Sequence, residues 1–380
     1  MTTLKNICRK ITDGSHNPPA GISRSNYFMI SSKNIENDLI TFKNPRFLSK
    51  NDFINENKRT NIETNDVLLT IVGAIGRVAV VTSDKIPFCV QRSIAVLKID
   101  TTKSIPRFVM YYLQSKTSFF EKESRGVAQK GIYLKQIENF PFLLLPLYKQ
   151  KKIVNVLDKI HLIINYRKQQ LSKLDHLVKS RFVEMFGDTR NNINSFKVYS
   201  IGDICSLKSG TSLPLNVENE GGDIPYIKVS DMSLPGNERY ITTSSRYVTK
   251  KTASKGIFPI GSVIFPKRGG AIGTNKKRLT QIPICVDLNI MGVIPGTNIT
   301  PHYLLSYFDM IDLGKLDNGS SVPQLNNKDI APLKILLPPL PLQEQFAAFV
   351  QQVDKAKSSV KQSLETLETL KKSLMQEYFG

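Results

Sequence analysis

Cysteine and histidine side chains are the first candidates for metal binding or nucleophilic chemistry, and this chain has four of each. The cysteines are Cys8, Cys89, Cys205 and Cys285, and no two of them form a Cys-x-x-Cys pair. The histidines are His16, His161, His176 and His302, and none has the spacing of a zinc-ligand pair. We therefore predict that the cysteines are small apolar core residues, neither disulfide-bonded nor ligands, and that the chain has no metal site.

Three short motifs could belong to an enzyme, and each lacks a part that its chemistry needs. Asn17-Pro18-Pro19-Ala20 has alanine where the Asn-Pro-Pro-aromatic motif of amino-methyltransferases has its stacking aromatic residue. Asp38 with Glu56-Asn57-Lys58 has only a loose nuclease spacing in an Asn-rich stretch. The segment Gly269–Lys276 lacks the closing Gly-Lys-Ser/Thr of a phosphate-binding loop. No Ser-His-Asp set stands out, so the sequence predicts no catalytic residues.

The charge balance favours a polyanionic partner. The chain has 52 Lys and Arg against 32 Asp and Glu among 380 residues, a formal net charge of +20. Nucleic acid fits this charge better than a membrane surface or an acidic protein does. No run of 18 apolar residues exists, and Met1–Lys10 has no apolar segment of the signal-peptide kind. We therefore expect a cytoplasmic protein that has no membrane partner.

The sequence repeats itself with a period of about half its length. Val67-Leu68-Leu69 before Gly73-Ala74-Ile75-Gly76 recurs as Val263-Ile264-Phe265 before Gly270-Ala271-Ile272-Gly273. Further along, Pro146-Leu147 before Gln150 recurs as Pro339-Leu340 before Gln343. The cysteines match in pairs as well, Cys8 with Cys205 and Cys89 with Cys285. The chain therefore contains two copies of one structural unit.

Each copy begins with a globular part, roughly 1–145 and 188–338, made of short β-branched runs between Gly, Asn, Asp and Pro clusters. Examples of these runs are Val67–Ile71, Arg77–Val81, Ile94–Ile99, Ile224–Val229 and Ser262–Pro266. Such runs predict strands, and helices are predicted over Arg107–Glu121 and over Pro301–Leu313. Each globular part is therefore predicted to be a mixed α/β (α+β) domain with a twisted sheet.

Each copy ends in a long helix, 146–187 and 339–380, whose apolar residues alternate at spacings of four and three. In the first helix they are Ile153, Leu157, Ile160, Ile164, Leu171, Leu174 and Val178, with Arg167 in one seam position. In the second they are Phe346, Val350, Val353, Val360, Leu364, Leu367 and Leu374, with Lys357 and Lys371 as polar interruptions. A seam of this period over about four heptads predicts a coiled coil rather than two helices that each cover one domain.

The repeat and the seam together predict a geometry. To bury its seam, the second helix must run antiparallel to the first, with the globular parts at opposite ends of a rod of roughly 50 Å. Two basic domains at that separation would meet one face of B-DNA about one to one and a half turns apart. A pseudo-twofold axis would match the dyad of the duplex. Because the two globular parts differ in sequence, we expect two different half-sites.

Candidate DNA-binding residues lie in basic and polar loops. In the first globular part they are Lys43, Arg46, Lys50, Lys58, Arg59 and Arg77. In the second they are Lys267, Arg268, Asn275, Lys276, Lys277 and Arg278, around the repeated Gly-Ala-Ile-Gly turn. Matching polar loops just before the helices, Gly126–Lys130 and Gly319–Gln324, add Lys130 and Gln324. Glycine lets the backbone approach a phosphate, and Arg or Lys neutralises it or reaches a guanine edge.

With these features the chain resembles the specificity subunits of type I restriction–modification systems. The likeness lies in Ile11–His16 with nearby Pro18-Pro19, in Gly319, Gln324 and Leu325, in the Pro338–Gln345 run, and in the closing Met-Phe-Gly and Tyr-Phe-Gly. The first copy departs from the pattern, because Lys149-Gln150-Lys151-Lys152 stands where the second has Leu-Gln-Glu-Gln. The resemblance therefore does not imply equal roles for the two helix starts.

The resemblance implies a non-catalytic DNA-binding subunit with target-recognition domains at 1–145 and 188–338 and helical spacers at 146–187 and 339–380. It implies double-stranded DNA, two modification (methyltransferase) subunits and two restriction subunits as partners. S-adenosylmethionine, ATP and Mg would be bound by those partners, and no cofactor by this chain. Exposed positions that flank the helical seam would then dock the methyltransferase. A stand-alone nucleic-acid-modifying enzyme, another DNA-binding scaffold and an adhesin-like rod remain alternatives.

Overall fold

The computed structural model describes residues 1–85, 87–124, 131–187, 192, 194–254, 256–316 and 323–380. The chain divides into two units, whose boundaries fall inside the two long helices. Unit 1 comprises Met1–Lys168 and Ser363–Gly380, and unit 2 comprises Gln169–Gln362. Each unit thus combines one globular part with a segment of both helices. The domain boundaries that we derived from the sequence stay a prediction, because these units divide the helices differently.

Unit 1 contains the first eleven strands. They are β1 (Thr2–Thr3), β2 (Cys8–Asp13), β3 (Phe28–Ile30), β4 (Ile35–Glu36), β5 (Leu39–Ile40), β6 (Arg46–Phe47), β7 (Val67–Thr70), β8 (Val78–Val80), β9 (Cys89–Val90), β10 (Ile94–Ile99) and β11 (Pro141–Phe142). Its helices are α1 (Leu4–Ile7), α2 (Lys50–Thr60), α3 (Pro106–Ser115), α4 (Thr117–Glu123), α5 (Leu134–Glu138) and the first part of α6 (Leu147–Phe186).

A four-stranded antiparallel sheet, in the order β2-β10-β7-β8, forms the centre of unit 1. Leu69 and Leu97 on one face pack in a core with Phe108 of α3. Leu68 and Val96 on the other face pack beside the smaller β6-β3-β9 sheet. Because successive side chains point to opposite faces, a strand covered on both sides needs apolar residues at consecutive positions. This requirement explains the unbroken apolar run at Val67.

Unit 2 repeats the arrangement. Its strands are β12 (Lys197–Ser200), β13 (Cys205–Ser209), β14 (Ile224–Ile227), β15 (Tyr240–Ile241), β16 (Tyr247–Val248), β17 (Val263–Pro266), β18 (Arg278–Thr280), β19 (Cys285–Val286), β20 (Ile290–Pro295) and β21 (Lys334–Leu337). Its helices are α7 (Ile201–Ile204), α8 (Lys250–Ala253), α9 (Pro301–Asp309), α10 (Asn327–Ile330) and part of α11 (Leu340–Phe379). The sheets follow the orders β13-β20-β17-β18-β15 and β16-β14-β19, so the predicted repeat is confirmed in the topology.

The predicted strands and the mixed α/β class are confirmed, with differences in the sheets and in the helices. Each globular part has a second, three-stranded sheet beside the main one. Of the strands in these two sheets, β14 lies in a predicted run, whereas the others are only two or three residues long and were not predicted. The helix predicted over Pro301–Leu313 ends earlier, at Asp309. The helix predicted over Arg107–Glu121 breaks at Lys116, where the backbone leaves helical geometry (φ −105°, ψ 11°). Thr117 Oγ1 donates to Gln114 O and to Gly76 O, at 3.0 and 3.1 Å, and such side-chain bonds compete with helix continuation.

Within each unit the segments of α6 and α11 run antiparallel. In unit 1, Lys168 Nζ lies 3.0 Å from Glu368 Oε1, and Leu157 shares a core with Phe379. In unit 2, Lys357 pairs with Asp175, and Phe346 shares a core with Phe186. Of the predicted seam residues, those buried are Leu157, Ile160, Ile164, Val178, Phe346, Val350, Val353 and Val360. Those half-buried are Ile153, Leu171, Leu174, Leu364, Leu367 and Leu374.

A fully buried glutamine ties each helix start to its globular part. Gln150 Oε1 accepts from the backbone N of Ile105 at 2.8 Å, and its Nε2 donates to Leu145 O at 2.7 Å. Gln343 does the same work: Oε1 accepts from the backbone N of Thr300 at 2.8 Å, and Nε2 donates to Pro338 O at 2.8 Å. The shared glutamine therefore acts equally in both copies, despite the different residues around it.

The four cysteines are free thiols, of which three are buried and Cys8 is half-buried. Burial raises the pKa of Cys8 and Cys89 to about 12 and that of Cys205 and Cys285 to about 11. The prediction that they serve as core residues is confirmed. Among the described residues no helix combines the length and apolar character needed to cross a membrane.

Candidate nucleic-acid interface

Three segments of unit 2 meet at the end of the sheet where β13 and β17 finish and β20 begins. The backbone N of Lys267 donates to Asn289 O at 2.8 Å. Gly269 N donates to Pro323 O at 2.8 Å, and Leu325 N donates to Lys267 O at 2.9 Å. The loop after β17 is thus held against the polar segment that precedes α10. Two loops that the sequence predicted separately form one surface.

The side chains of this surface are cationic and polar. Arg268 is exposed and its Nε donates to Gln324 Oε1 at 3.2 Å, while Gln324 Nε2 donates to Asn326 Oδ1 at 2.9 Å. Lys267 Nζ lies 2.9 Å from Ser209 Oγ. Burial, and then the charge of neighbouring Arg268, lower the pKa of Lys267. An anion bound between these two cations would relieve their repulsion. We call Lys267, Arg268 and Gln324 the loop face of unit 2.

The matching end of the main sheet in unit 1 has different chemistry. Asp13, at the end of β2 and largely buried, lies 2.8 Å from His16 Nε2 and also pairs with Arg59. Exposed Arg92 stands just before β10, and its backbone N donates to Ser15 O at 2.9 Å. Arg59 belongs to the predicted set, whereas sequence reasoning missed His16 and Arg92. We call His16, Arg59 and Arg92 the loop face of unit 1.

A glycine begins the loop after β2 and after β13, and both positions require it. A Cβ atom at Gly14 would lie 1.9 Å from Val90 O, and one at Gly210 would lie 2.2 Å from Asp287 O. These distances are far below van der Waals contact, so no side chain fits between the crossing backbones. In each copy a glycine follows the first long strand of the main sheet. This shared glycine marks the loop that contains His16, and it could have located that residue from the sequence.

The other predicted DNA-binding residues lie elsewhere. Lys43, Lys50 and Lys58 are exposed, and Arg46 Nη1 donates to Pro19 O at 2.6 Å. In unit 1, Arg77 lines a cavity of about 860 Å³ beside the α6 and α11 segments. In unit 2, Asn275, Lys277 and Arg278 line a cavity of about 560 Å³, and Lys276 contacts Ser233. Lys130 and the loop segments 126–130 and 319–322 lie outside the described residues.

Lys277 was predicted to contact DNA, but its side chain is hydrogen-bonded inside unit 2. Its side chain is buried, and Nζ donates to Ile311 O at 2.6 Å and to Asn275 Oδ1 at 2.7 Å. Burial lowers its pKa to about 8. Lys277 thus closes a loop of unit 2 with its buried ammonium group. In the described part of the chain no three His, Cys, Asp or Glu side chains come together as metal ligands.

If Arg268 contacts DNA, replacing it by Ala should weaken binding of the chain to double-stranded DNA about tenfold and reduce the slope of log K against log salt by about one, the effect expected for loss of one phosphate or base contact. Fluorescence anisotropy measures both the affinity and the salt slope, at salt concentrations from about 50 to about 200 mM. Lys197→Ala is the matched control, since Lys197 is exposed on β12, which pairs with β21 in a separate two-stranded sheet. Equal effects of the two variants would contradict the assignment.

Comparison with known proteins gives consistent results. A family model described as type I restriction modification DNA specificity domain matches residues 22–176 and again 194–369. The EcoBI type I specificity subunit of Escherichia coli is 29% identical over 136 residues, which cover 34% of this chain and 28% of that subunit. The MjaIX specificity subunit of Methanocaldococcus jannaschii is 24% identical over 314 residues, 75% of this chain and 70% of that one.

The fold is shared with a solved structure. The crystal structure of the type I restriction–modification S subunit from M. genitalium superposes with a TM-score of 0.58 at 16% identity, covering 100% of this chain and 95% of that one. Two copies of one fold, each matched by the specificity-domain model, define a DNA-recognition protein with two recognition domains. The chain belongs to the type I restriction–modification DNA specificity family, since its model matches both copies.

Proposed function

We propose that this chain recognises an asymmetric bipartite sequence in double-stranded DNA, with one half-site read by each unit. The observation that carries the proposal is the double match to the specificity domain, over 22–176 and 194–369, on two units that repeat one topology. The two loop faces differ, because Ile71, Val72 and Gly131 occupy in unit 1 the positions of Lys267, Arg268 and Gln324. The cationic residues of unit 1 lie instead at His16, Arg59 and Arg92. Different side chains on the same scaffold support two different half-sites.

The side chains of the loop faces are of types that recognise DNA bases, and other residues hold them in place. Arginine pairs with the O6 and N7 of guanine, and glutamine with the N6 and N7 of adenine. Arg268 and Gln324 are joined by a hydrogen bond of 3.2 Å and are carried on loops fixed by backbone hydrogen bonds. Asp13 likewise contacts both His16 and Arg59. Such support limits the side-chain entropy lost on binding, so we expect these residues to face the DNA.

We further propose that the chain directs partner subunits and carries out no chemistry itself. Two modification subunits would dock on the long helices, bring S-adenosylmethionine and methylate one adenine on each strand. Two restriction subunits would add ATP- and Mg-dependent translocation and cleavage. Exposed apolar residues on α6, Val156, Ile163 and Tyr166 in unit 1 and Leu177 in unit 2, support a helical docking surface. Such a complex would act on DNA in the cytoplasm.

Exchange of a recognition domain tests the proposal. Replacing residues 1–145 with the corresponding domain of another specificity subunit should change one half-site of the methylated sequence and leave the other unchanged, because each unit carries its own loop face. Methylation mapping of genomic DNA from cells with the matching partner subunits reports the whole motif. The reciprocal exchange of 188–338 is the matched control and should change only the other half-site. A change in both half-sites after one exchange would refute the two-reader arrangement.

A further inference from the structure

The tip of the β4–β5 hairpin in unit 1 presents a carboxylate to both long helices. Asn37 and Asp38 have φ of 50° and 67°, as a two-residue hairpin turn requires. Asp38 Oδ2 lies 3.3 Å from His161 Nδ1 on α6 and 3.3 Å from Lys371 Nζ on α11. Asp38 Oδ1 accepts a hydrogen bond from Gln114 Nε2 on α3. We call these four residues the charge cluster of unit 1.

The carboxylate of Asp38 is partly buried, and the cluster keeps it ionised. Burial alone would raise its pKa, but the hydrogen bond from His161 and the charge of Lys371 outweigh burial and lower the pKa. Its Oδ atoms thus receive a hydrogen bond from α6 and the charge of Lys371 from α11, two helices that are far apart in sequence. The hairpin tip therefore depends on cationic or hydrogen-bond-donating partners at that end of the helix pair.

Unit 2 has a cluster at the same place with the charges reversed. Arg239 stands just before Tyr240 of β15. Its Nη1 lies 3.4 Å from Asp309 Oδ2 on α9. Its Nε lies 3.9 Å from Asp354 Oδ2 on α11, and Tyr240 Oη donates to that carboxylate. Burial raises the pKa of Asp309, and the charge of Arg239 opposes this rise. We call Arg239, Asp309 and Asp354 the charge cluster of unit 2.

The repeat aligns the three residues of the unit 2 cluster with three of the four in unit 1, and Lys371 has no counterpart in the unit 2 cluster. Gln114 and Asp309 each stand the same number of residues after the proline that begins α3 or α9. His161 and Asp354 each stand the same number of residues after the buried glutamines that begin the long helices. Asp38 and Arg239 contact these equivalent partners. The domain residue is acidic in unit 1 and basic in unit 2, and its helix partner changes from histidine to aspartate.

Each unit also has an uncharged aromatic contact between the end of a long helix and the helix α3 or α9. Phe379 lies 5.4 Å from Phe108 in unit 1, and Phe186 lies 4.8 Å from Tyr303 in unit 2 (ring centroids). These aromatic contacts carry no charge, so they do not distinguish the two domains by charge as the clusters do. Arg239 in the place of Asp38 would face His161 and Lys371, and Asp38 in the place of Arg239 would face two carboxylates. Repulsion of this kind is how proteins exclude a wrong partner.

We propose that the two charge clusters are reciprocal pairing determinants, which assign each recognition domain to its own end of the helix pair and disfavour a second copy of the same domain there. Each set of helix residues in the two clusters fits a domain whose contacting residue has the opposite charge. The proposal concerns assembly of the chain and does not depend on the DNA sequence read. Its test therefore measures folding, and it can fail while the proposed function stands.

Transplanting the unit 1 cluster into unit 2 of the full chain tests the proposal. Arg239→Asp alone should lower the ratio of folded to unfolded protein about thirtyfold, because three carboxylates then share a partly buried site. The triple variant Arg239→Asp, Asp309→Gln and Asp354→His restores three of the four residues of the unit 1 cluster, without a counterpart of Lys371, and should recover to within about threefold of the parent. Equilibrium unfolding in urea, followed by far-ultraviolet circular dichroism, gives both ratios.

Two further variants complete the experiment. Asp309→Gln with Asp354→His, which keeps Arg239, should be destabilised because Arg239 loses both carboxylates. The exposed pair Glu238 and Lys361, 3.6 Å apart, is the control: exchanging its charges should change little. A triple variant no more stable than Arg239→Asp, or additive effects of all three changes, would overturn the proposal. If Arg239→Asp alone fails to fold, a folded triple variant supports the proposal and an unfolded one overturns it.

Discussion

Replacing Phe186 by Ala should destabilise unit 2 by about 4 kcal/mol, the cost of removing a large aromatic side chain from a packed core. Phe186 is the last residue of α6 and is fully buried. Its ring centroid lies 4.8 Å from that of Tyr303 and 5.4 Å from that of Phe346. The residue therefore joins the end of the first long helix to α9 and to the start of the second. Urea unfolding of the full chain measures the loss.

Matched variants make the result specific. Phe379→Ala removes the equivalent residue of α11, whose ring lies 5.4 Å from Phe108 in unit 1, and should cost a similar amount. Val183→Ala, on the same helix as Phe186 but exposed, should change stability by less than about 0.5 kcal/mol. A loss of under about 1 kcal/mol for Phe186→Ala would show that the helix end is not held by the core of unit 2.

The second large effect concerns the proposed spacing role of the long helices. Inserting one heptad at Lys168–Gln169 and another at Gln362–Ser363, the points where the chain passes between units, adds about 10 Å of helix to each. That length corresponds to about three base pairs. The spacer between the two half-sites should grow by that amount, and binding to the original site should fall by at least a hundredfold, on the order of the loss of several base contacts.

The control for this experiment is an insertion that shifts the apolar seam out of register. A heptad keeps the apolar positions in register, whereas inserting four residues into only one helix rotates the seam and should destabilise the chain. Methylation mapping of cells with the heptad variant reads the new spacer directly. An unchanged spacer would mean that the helices do not measure the distance between half-sites.

Local periodicity explains what could be predicted from the sequence. The apolar run at Val67 and its copy at Val263 form β7 and β17, because strands with two covered faces show consecutive apolar residues. The seam from Leu157 to Val178 forms one uninterrupted helix. Helix propensity and seam spacing depend on residues that are close together in the sequence. The repeat shows each pattern twice, which strengthens the prediction. The two-domain mixed α/β fold therefore followed from residue order alone.

The candidate interface was only partly predictable. Arg268 and Gln324 were predicted on two separate loops, and the structure joins them through backbone hydrogen bonds between 267–269 and 323–325. Lys277 has the charge of a contact residue, yet its Nζ is held by Ile311 O. Charge in a sequence does not distinguish an ammonium that faces solvent from one that caps a loop. His16 and Arg92 were missed because their loops meet only when β2 and β10 pair.

The sequence by itself determined that this chain is one unit written twice, with two basic domains and two long helices. Only the tertiary structure decided that Phe186 packs beside Phe346 and Phe379 beside Phe108, so that each unit contains segments of both helices. It also decided that Asp38 and Arg239 occupy matching places with opposite charge. Both results depend on contacts between residues far apart in the chain, which neither composition nor periodicity encodes.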